Sequence, residues 1–450
     1  MDKASILPKR LFSFILCGTV VLTLALMWRC KVNTQQHFQH SDLFLSYKRY
    51  NSKTPFISKE NNYTGGYDNV LTWKRFMFET KKQGKILTHA IYFTNAVYDV
   101  REESVRIDVI ESRRGAKLLQ MQCRLYQSSV DHNPVDVSAK RALKKVWKLT
   151  GPIDGVWYDT MRYSCRVPNP NIHYQYISLV ASCQCDSNDT SSPQRNASFY
   201  LGMQEWVIKN GRAEISYRFA ISYPPAPATH EHEFGICVSV SHGLLTDNNV
   251  HGLIEWFEFY KMFGVTEINI YNGTLWMEPR SKRVLKHYIE SGLLKLHDLN
   301  PPMSFKRSEE YFASMSTRVV SLHDCLYRAL NRYRFMIVVD LDEIIIPYKH
   351  KNYHDLMMFI QKKHHVDLMK KNPNFVSKYF YRVLPRYKIE SELSVTLQYR
   401  NFVDLRFTPK SIYNPRACHE LNVHWCGPRP RWTVPVNLGM VHHTDTTVKT

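Results

Sequence analysis

The sequence predicts an α/β fold for its C-terminal half, built on a mainly parallel sheet, preceded by a mainly β accessory domain and a single N-terminal transmembrane helix. Three observations carry this. The run Phe335-Met336-Ile337-Val338-Val339 is apolar without polar alternation, as in a strand covered by helices on both faces. Before it, from Ile236 onward, short apolar runs alternate with amphipathic helical stripes, the rhythm of a parallel sheet. Between about residues 86 and 223 the period is two instead, which suits half-buried antiparallel strands such as those of a sandwich.

Taken in order, residues 1–10 read as a cytoplasmic tail and Leu11 to Trp28 as an uncharged apolar run of 18 residues. Lys9, Arg10 and Arg29 flank that run, which can just span a bilayer. It ends in Met27, Trp28 and Arg29 rather than a small-residue cleavage site, so it reads as an uncleaved signal anchor at 11–28. Lys3, Lys9 and Arg10 favour a cytoplasmic N-terminus over Arg29 and Lys31. Residues 29–85 are polar and lysine-rich, a stem that need have no structure. In the β domain, 86–230, Leu119, Met121, Cys123 and Leu125 alternate with polar partners, as do Val105, Ile107 and Val109, and Ile215, Tyr217, Phe219 and Ile221. Pro224-Pro225-Ala226-Pro227 marks the boundary to the α/β domain, 231–450. There, strands are expected at Ile236–Val240, Val265–Tyr271, Leu293–Leu299 and Phe335–Val339. Helices are expected from Val250 to a stop at Gly264, from Ser281 to a cap at Gly292, and from Phe312 to Leu330.

The chain has 450 residues, a formal charge of +20 and a pI near 9.4. That charge would suit nucleic acid, an anionic membrane or an anionic nucleotide substrate. The sequons at Asn62, Asn188, Asn196 and Asn272, together with eight cysteines beyond Lys31, favour an oxidising lumen and remove nucleic acid from consideration. Eight cysteines allow many pairings, and a bridge between Cys418 and Cys426 accounts for that pair more plainly than a zinc site with His419 and His424.

The chemistry is expected at Asp340-Leu341-Asp342-Glu343, just past the buried strand, because open parallel sheets bind ligands beyond the carboxyl ends of their strands. An extended backbone would turn the carboxylates of Asp340 and Asp342 to one face. There they offer hard oxygen ligands to Mn²⁺ or Mg²⁺, and such an ion would neutralise a leaving diphosphate. A phosphatase of the haloacid dehalogenase kind also places D-x-D after a strand. It needs a further downstream acidic pair, and none follows Asp342.

These stretches also resemble glycosyltransferase family 92. The resemblance rests on Ile236–Val240, His251–Tyr260, Asp324–Arg328, Val339–Pro347, Lys410–Pro415, Val423-His424 and Val441-His442-His443, in that order. It implies a GT-A fold and a UDP-sugar donor, UDP-galactose in the best understood members. It also implies inverting transfer to a glycan acceptor such as core fucose of N-glycans, and a type II Golgi membrane protein. Carried over by position, Asp340, Asp342 and Glu343 become catalytic, Asp340 and Asp342 metal ligands with His442 or His443 as the third, and Ser241, Glu255, Tyr271 and Asp324 the donor pocket. The chain departs from the family's usual pattern at His323 and at Thr444-Asp445. The residues leave the general base open among Glu343, Glu420 and Asp445, and they do not address oligomeric state. A second function class stays open as well: a lumenal, lectin-like membrane protein that binds glycans without turnover.

Overall fold

The computed structural model describes residues 74–82, 85–112, 119–143, 158–183, 207–209, 212–214, 218–224, 230–245, 250–299, 310–381, 401–427 and 430–444. The anchor run 11–28, the sequons at Asn62, Asn188 and Asn196, and Asp445 lie outside these residues. No helix among the described residues is long and apolar enough to cross a membrane.

Thr64–Thr450 form one compact unit containing two large sheets. The first comprises β1 (Lys74–Lys82), β2 (Lys85–Asp99), β3 (Ser104–Ser112), β4 (Leu119–Tyr126), β5 (Val135–Leu143), β6 (Tyr158–Arg166), β7 (Tyr176–Cys183), β8 (Val207–Lys209), β9 (Arg212–Glu214) and β10 (Phe219–Ser222). Neighbours run β1-β2-β3-β6-β5-β4-β7-β9-β8, and β10 pairs with both β7 and β2. The path β2-β3-β6-β5-β4-β7-β10 therefore returns to its start, so the expected sandwich is a ring closed by β10. Val105, Ile107 and Val109 point into its core with Cys123, Leu125, Tyr163 and Leu179, and a Cys123–Cys165 disulfide ties β4 to β6.

Two sequence expectations need correction here. The strand β1 begins inside the segment read as a stem that need have no structure, where four basic residues among its nine hid the strand signal. Such lysine-rich strands suit sheet edges, where charge discourages further pairing. Second, β3, expected as a half-buried strand, is buried on its polar face as well, as is its neighbour β6. Arg106, Asp108 and Arg162 are buried.

The second sheet starts as a parallel nucleus: β11 (His232–Leu245), β12 (Val265–Met277), β13 (Leu294–Asp298) and β14 (Tyr333–Val339), in the order β13-β12-β11-β14. Helices α1 (Val250–Met262), α2 (Pro279–Glu290) and α3 (Glu310–Ala329) make the crossovers. These match the expected elements closely. Gly264 (φ +97°) and Gly292 (φ +78°) sit in left-handed conformations after α1 and α2, where a side chain would be strained.

Beyond β14 the sheet becomes mixed. It adds β15 (Glu343–Pro347), α4 (Tyr353–His364), β16 (Asn372–Tyr381) and β17 (Asn401–Tyr413). The short pair β18 (Glu420–Leu421) and β19 (Cys426–Gly427), β20 (Arg431–Thr433) and β21 (Gly439–Thr444) follow. β17 pairs antiparallel with β14, and β15 with β21.

The helix α3 joins the two sheets. Its inner face packs on β11, where Cys325 is disulfide-bonded to Cys237, and its outer side covers the polar face of β3 and β6. Three arginines of the ring reach across. Arg162 forks onto Asp108 (2.8 and 3.1 Å) and also donates to the backbone oxygen of His419 (3.4 Å). Arg106 pairs with Asp99 (2.9 Å) and donates to Tyr327 Oη (3.3 Å) on α3. Arg101 donates to the carbonyl oxygens of Pro415 (3.0 Å) and Cys418. His323 accepts from Leu421 N (3.3 Å) through Nε2 and turns Nδ1 toward Asp108 (3.5 Å). The Cys418–Cys426 disulfide closes the same loop, which favours the disulfide account of those cysteines.

Candidate active site

In the order β13-β12-β11-β14 the direction of succession reverses between β11 and β14, which opens a crevice at their carboxyl ends. The site lies there. Ser239 of β11 donates to Asp340 Oδ1 (3.1 Å), the first residue after β14. Asp340 to Glu343 form a tight turn rather than the extended segment expected, because Glu343 N donates to Asp340 O (3.1 Å). The Glu343 carboxylate folds back to accept from Asp340 N (2.8 Å). Helix α1 fixes the far side of this turn: Trp256 Nε1 (2.9 Å) and Tyr260 Oη (3.0 Å) both donate to Glu343 O. Tyr353 at the start of α4 donates to Ile345 O (2.6 Å).

A cation from the mixed half completes the centre. Lys410 on β17 is fully buried and places Nζ 3.0 Å from Asp340 Oδ2 and 2.7 Å from Glu343 Oε2. Burial alone would raise the pKa of Asp340, but the charges of Lys410 and Arg318 and the bonds from Lys410 and Ser239 outweigh it and hold it low. Glu343 differs, being 3% exposed where Asp340 is 34% exposed. Burial pushes it up to about 7, against the pull of Lys410 and with the help of Asp340 and Asp342. The paired carboxylates raise the pKa of Lys410 despite its burial, so it stays charged. His424 borders the group from the Cys418–Cys426 loop. Burial and the charge of Lys410 push it down to about 4, and its Nδ1 meets Pro409 O at 3.2 Å.

Asp340 and Asp342, both half-exposed on the turn, supply the donor type that a divalent cation takes. No group of three His, Cys, Asp or Glu side chains able to hold a metal occurs among the described residues. His442 lies opposite Ile344 in the β15–β21 register, with its Nε2 2.6 Å from Tyr348 Oη. His443 occupies the register position opposite Glu343.

The remaining candidates are distributed unevenly. Tyr271 and Asp324 do come together, but with each other: Tyr271 Oη donates to Asp324 Oδ2 (2.5 Å), Arg328 neutralises that carboxylate (2.6 Å), and all three are buried beneath the sheet. Ser241 stands at the register position of Asn272 on β12. Asn272 is half-buried in that strand, with its amide donating to Asp298 (3.1 Å), an environment unlike the exposed loop expected of a glycosylated asparagine. Glu255 is half-buried on α1 beside Trp256. Glu420 lies on β18, next to the residues bonded to His323 and Arg162. Sequence reasoning passed over Ser239, Lys410 and His424 as site residues. For Lys410 a signal existed, since a lysine within a strand that ends Ser411-Ile412-Tyr413 must be paired if that strand is central.

Beneath the crevice runs a buried polar layer. Tyr333 Oη donates to Glu267, which Lys295 (2.7 Å) and Arg332 (2.6 Å) neutralise, and Asn269 links Tyr333 (2.8 Å) to His297 Nε2 (2.8 Å). His297 is 1% exposed and stacks on Tyr271 with ring centroids 4.8 Å apart. Burial, aided by Arg328 and Lys295, pushes its pKa down to about 4. Between that value and the unfolded value near 6.5 the unfolded chain binds a proton the folded one refuses, so stability falls as pH falls. The contribution is about 1.4 kcal/mol per pH unit, and Glu343, with its raised pKa, acts in the opposite sense over the same range. Urea unfolding at pH 7 and pH 5 should therefore show a smaller acid loss in His297→Asn than in the parent chain.

The family model for Glycosyltransferase family 92 matches residues 232–450. Among curated proteins no match was found. Among solved structures, the chain is similar to S. aureus TarS 1–349 in complex with UDP, at 12% identity and a TM-score of 0.26, covering 47% of this chain and 60% of that one. It is also similar to S. aureus TarS 1–349 alone, at 17% identity and a TM-score of 0.22, covering 41% and 47%. The chain thus spans less than two thirds of those structures, and superpositions this loose carry no argument about mechanism.

Proposed function

Because residues 232–450 belong to glycosyltransferase family 92, we propose that this glycosyltransferase moves galactose from UDP-galactose to a glycan acceptor, with inversion, on a GT-A-type α/β domain. The observation that carries the reading is the Asp340–Glu343 turn at the crevice between β11 and β14, bonded by Ser239 and Lys410. A carboxylate pair in that position is what a nucleotide diphosphate and its divalent cation require. Mn²⁺ or Mg²⁺ held by Asp340 and Asp342 would supply charge to the departing diphosphate.

The chain's own residues do the positioning. Lys410 keeps Asp340 ionised and aimed, and Glu343 locks the turn by accepting from the Asp340 N–H. Trp256 and Tyr260 prevent the turn from drifting by holding Glu343 O. In the transfer, the acceptor oxygen bonds to the sugar's anomeric carbon while the bond from that carbon to the β-phosphate oxygen breaks. Its electron pair stays on the phosphate, and the acceptor's proton passes to a general base. We further propose lumenal placement in the Golgi behind the anchor at 11–28.

The test uses the detergent-solubilised full chain with UDP-galactose, Mn²⁺ and fucosylated glycans, read by mass spectrometry. One hexose should be added, and Asp342→Ala should lower the rate at least about a hundredfold, the scale of losing one charge-stabilising group. Absence of transfer from any UDP-sugar, with donor binding also absent, would leave the glycan-binding alternative.

A further inference from the structure

We propose that Arg318 on α3 is the anion-binding residue of the donor site, where its guanidinium takes the phosphate oxygens of the nucleoside diphosphate. The proposal rests on the transferase reading for its ligand, and on the following geometry for its site.

Helix α3 leads through Leu330–Arg332 into β14, so it runs antiparallel to that strand, and its early turns lie at the strand's carboxyl end. The disulfide between Cys325 and Cys237 fixes both the facing and the height of the helix. Cys237 is in register with Val338, two residues before Asp340. Arg318 precedes Cys325 by seven residues, two turns, so it projects from the same face and sits roughly 10 Å further toward the strand ends. Asp340 lies about 7 Å beyond Val338 in the same direction. Arg318 therefore stands at the level of the Asp340–Glu343 turn, on the side facing β11.

Its chemistry there is unsettled in a way that suggests a ligand. The Nε of Arg318 is buried yet has no hydrogen-bond partner, and Arg318 makes no ion pair among the described residues. A buried, unmatched guanidinium donor is costly. Lys410, the other cation of the site, is already committed to Asp340 and Glu343. Arg318 is thus the positive group with capacity for an incoming anion, and its planar fork matches phosphate oxygens in pairs. When the anomeric bond breaks, the electron pair left on the β-phosphate oxygen would fall within reach of this charge.

The experiment is calorimetric titration of the solubilised full chain with inorganic pyrophosphate, UDP and uridine, for the parent, Arg318→Gln and Arg318→Lys. In R318Q the affinities for pyrophosphate and UDP should drop about ten- to a hundredfold, the scale of a hydrogen bond to a charged group. Uridine binding should stay unchanged, and R318K should fall between. Pyrophosphate binding that is equal in parent and R318Q, at an unchanged melting temperature, overturns the proposal, as does a parent that binds neither pyrophosphate nor UDP. If R318Q does not fold, R318K carries the comparison: full retention of pyrophosphate affinity and kcat overturns the requirement for the fork. Pyrophosphate binding through Arg318 without turnover of any UDP-sugar would sink the transferase reading and leave the anion site standing. Sugar transfer by R318Q with the parent's KM for the UDP-sugar would do the reverse.

Discussion

Lys410→Met is expected to destabilise the chain by about 3–5 kcal/mol, the cost of stranding buried charge when one partner is removed. The variant should also lose transfer. Nζ contacts Asp340 and Glu343 at once, and Glu343 is almost fully buried, so a methionine in its place leaves two carboxylates facing each other across a tight turn. Glu343 would then take up a proton at neutral pH, and the hydrogen bond that closes the turn from Asp340 N would weaken. Adding Glu343→Gln to Lys410→Met should restore a large part of the stability, because the amide oxygen can still accept from Asp340 N and no charge is stranded beside Asp340. It should not restore turnover, since Asp340 would lack its aiming cation. Guanidinium unfolding of the parent, single and double variants measures this. A single variant as stable as the parent would mean that the buried lysine contributes no net pairing.

Arg162→Leu is expected to produce a loss of similar size, about 3–5 kcal/mol, at a position far from the candidate chemistry in sequence. Arg162 and Asp108 are both buried between the β ring and α3, bonded in a bidentate fork, with His323 as Asp108's second partner. Burial alone would raise the pKa of Asp108, and Arg162 and His323 together hold it well below the usual carboxylate range. Without Arg162 that carboxylate is left with a histidine. Replacing both, as Asp108→Leu with Arg162→Met, should recover stability, since a buried pair exchanged for packed apolar groups is often neutral. The double variant should still show a reduced kcat, because Arg162 also donates to His419 O on the loop that carries His424. Melting curves and steady-state rates separate the two effects. An Arg162→Leu variant with unchanged stability and rate would show that the ring does not support the loop.

How far the sequence revealed this arrangement depends on the range of the forces involved. The parallel nucleus was legible because its strands are apolar throughout and its helices carry stripes ended by Gly264 and Gly292, all local signals. The Asp340–Glu343 segment was legible for the same reason, as acid following an unbroken apolar run. Its shape was not, since the turn is set by Trp256, Tyr260 and Lys410, which lie some 70 to 90 residues away. The alternation in β3 showed which residues face the ring interior, but it read Arg106 and Asp108 as a solvated face. Only the position of α3, more than two hundred residues later, makes that face an interior. The mixed strands β15 to β21 were missed because several are two or three residues long and pair across gaps in sequence.

The closure of the first sheet by β10 has a consequence for how the chain is made. Ile221 pairs with Ala96, so as the polypeptide emerges, strand β2 waits for more than a hundred residues with one edge unsatisfied. The arginines on the outside of the ring wait longer still, for a helix that is synthesised after residue 310. Long-range pairing of this kind is slow and leaves sticky edges open while translation proceeds. A newly made chain should therefore depend on chaperones until Ser222 has emerged. Stalling translation just before and just after that point, and comparing chaperone association, would locate the moment at which the nascent sheet shuts.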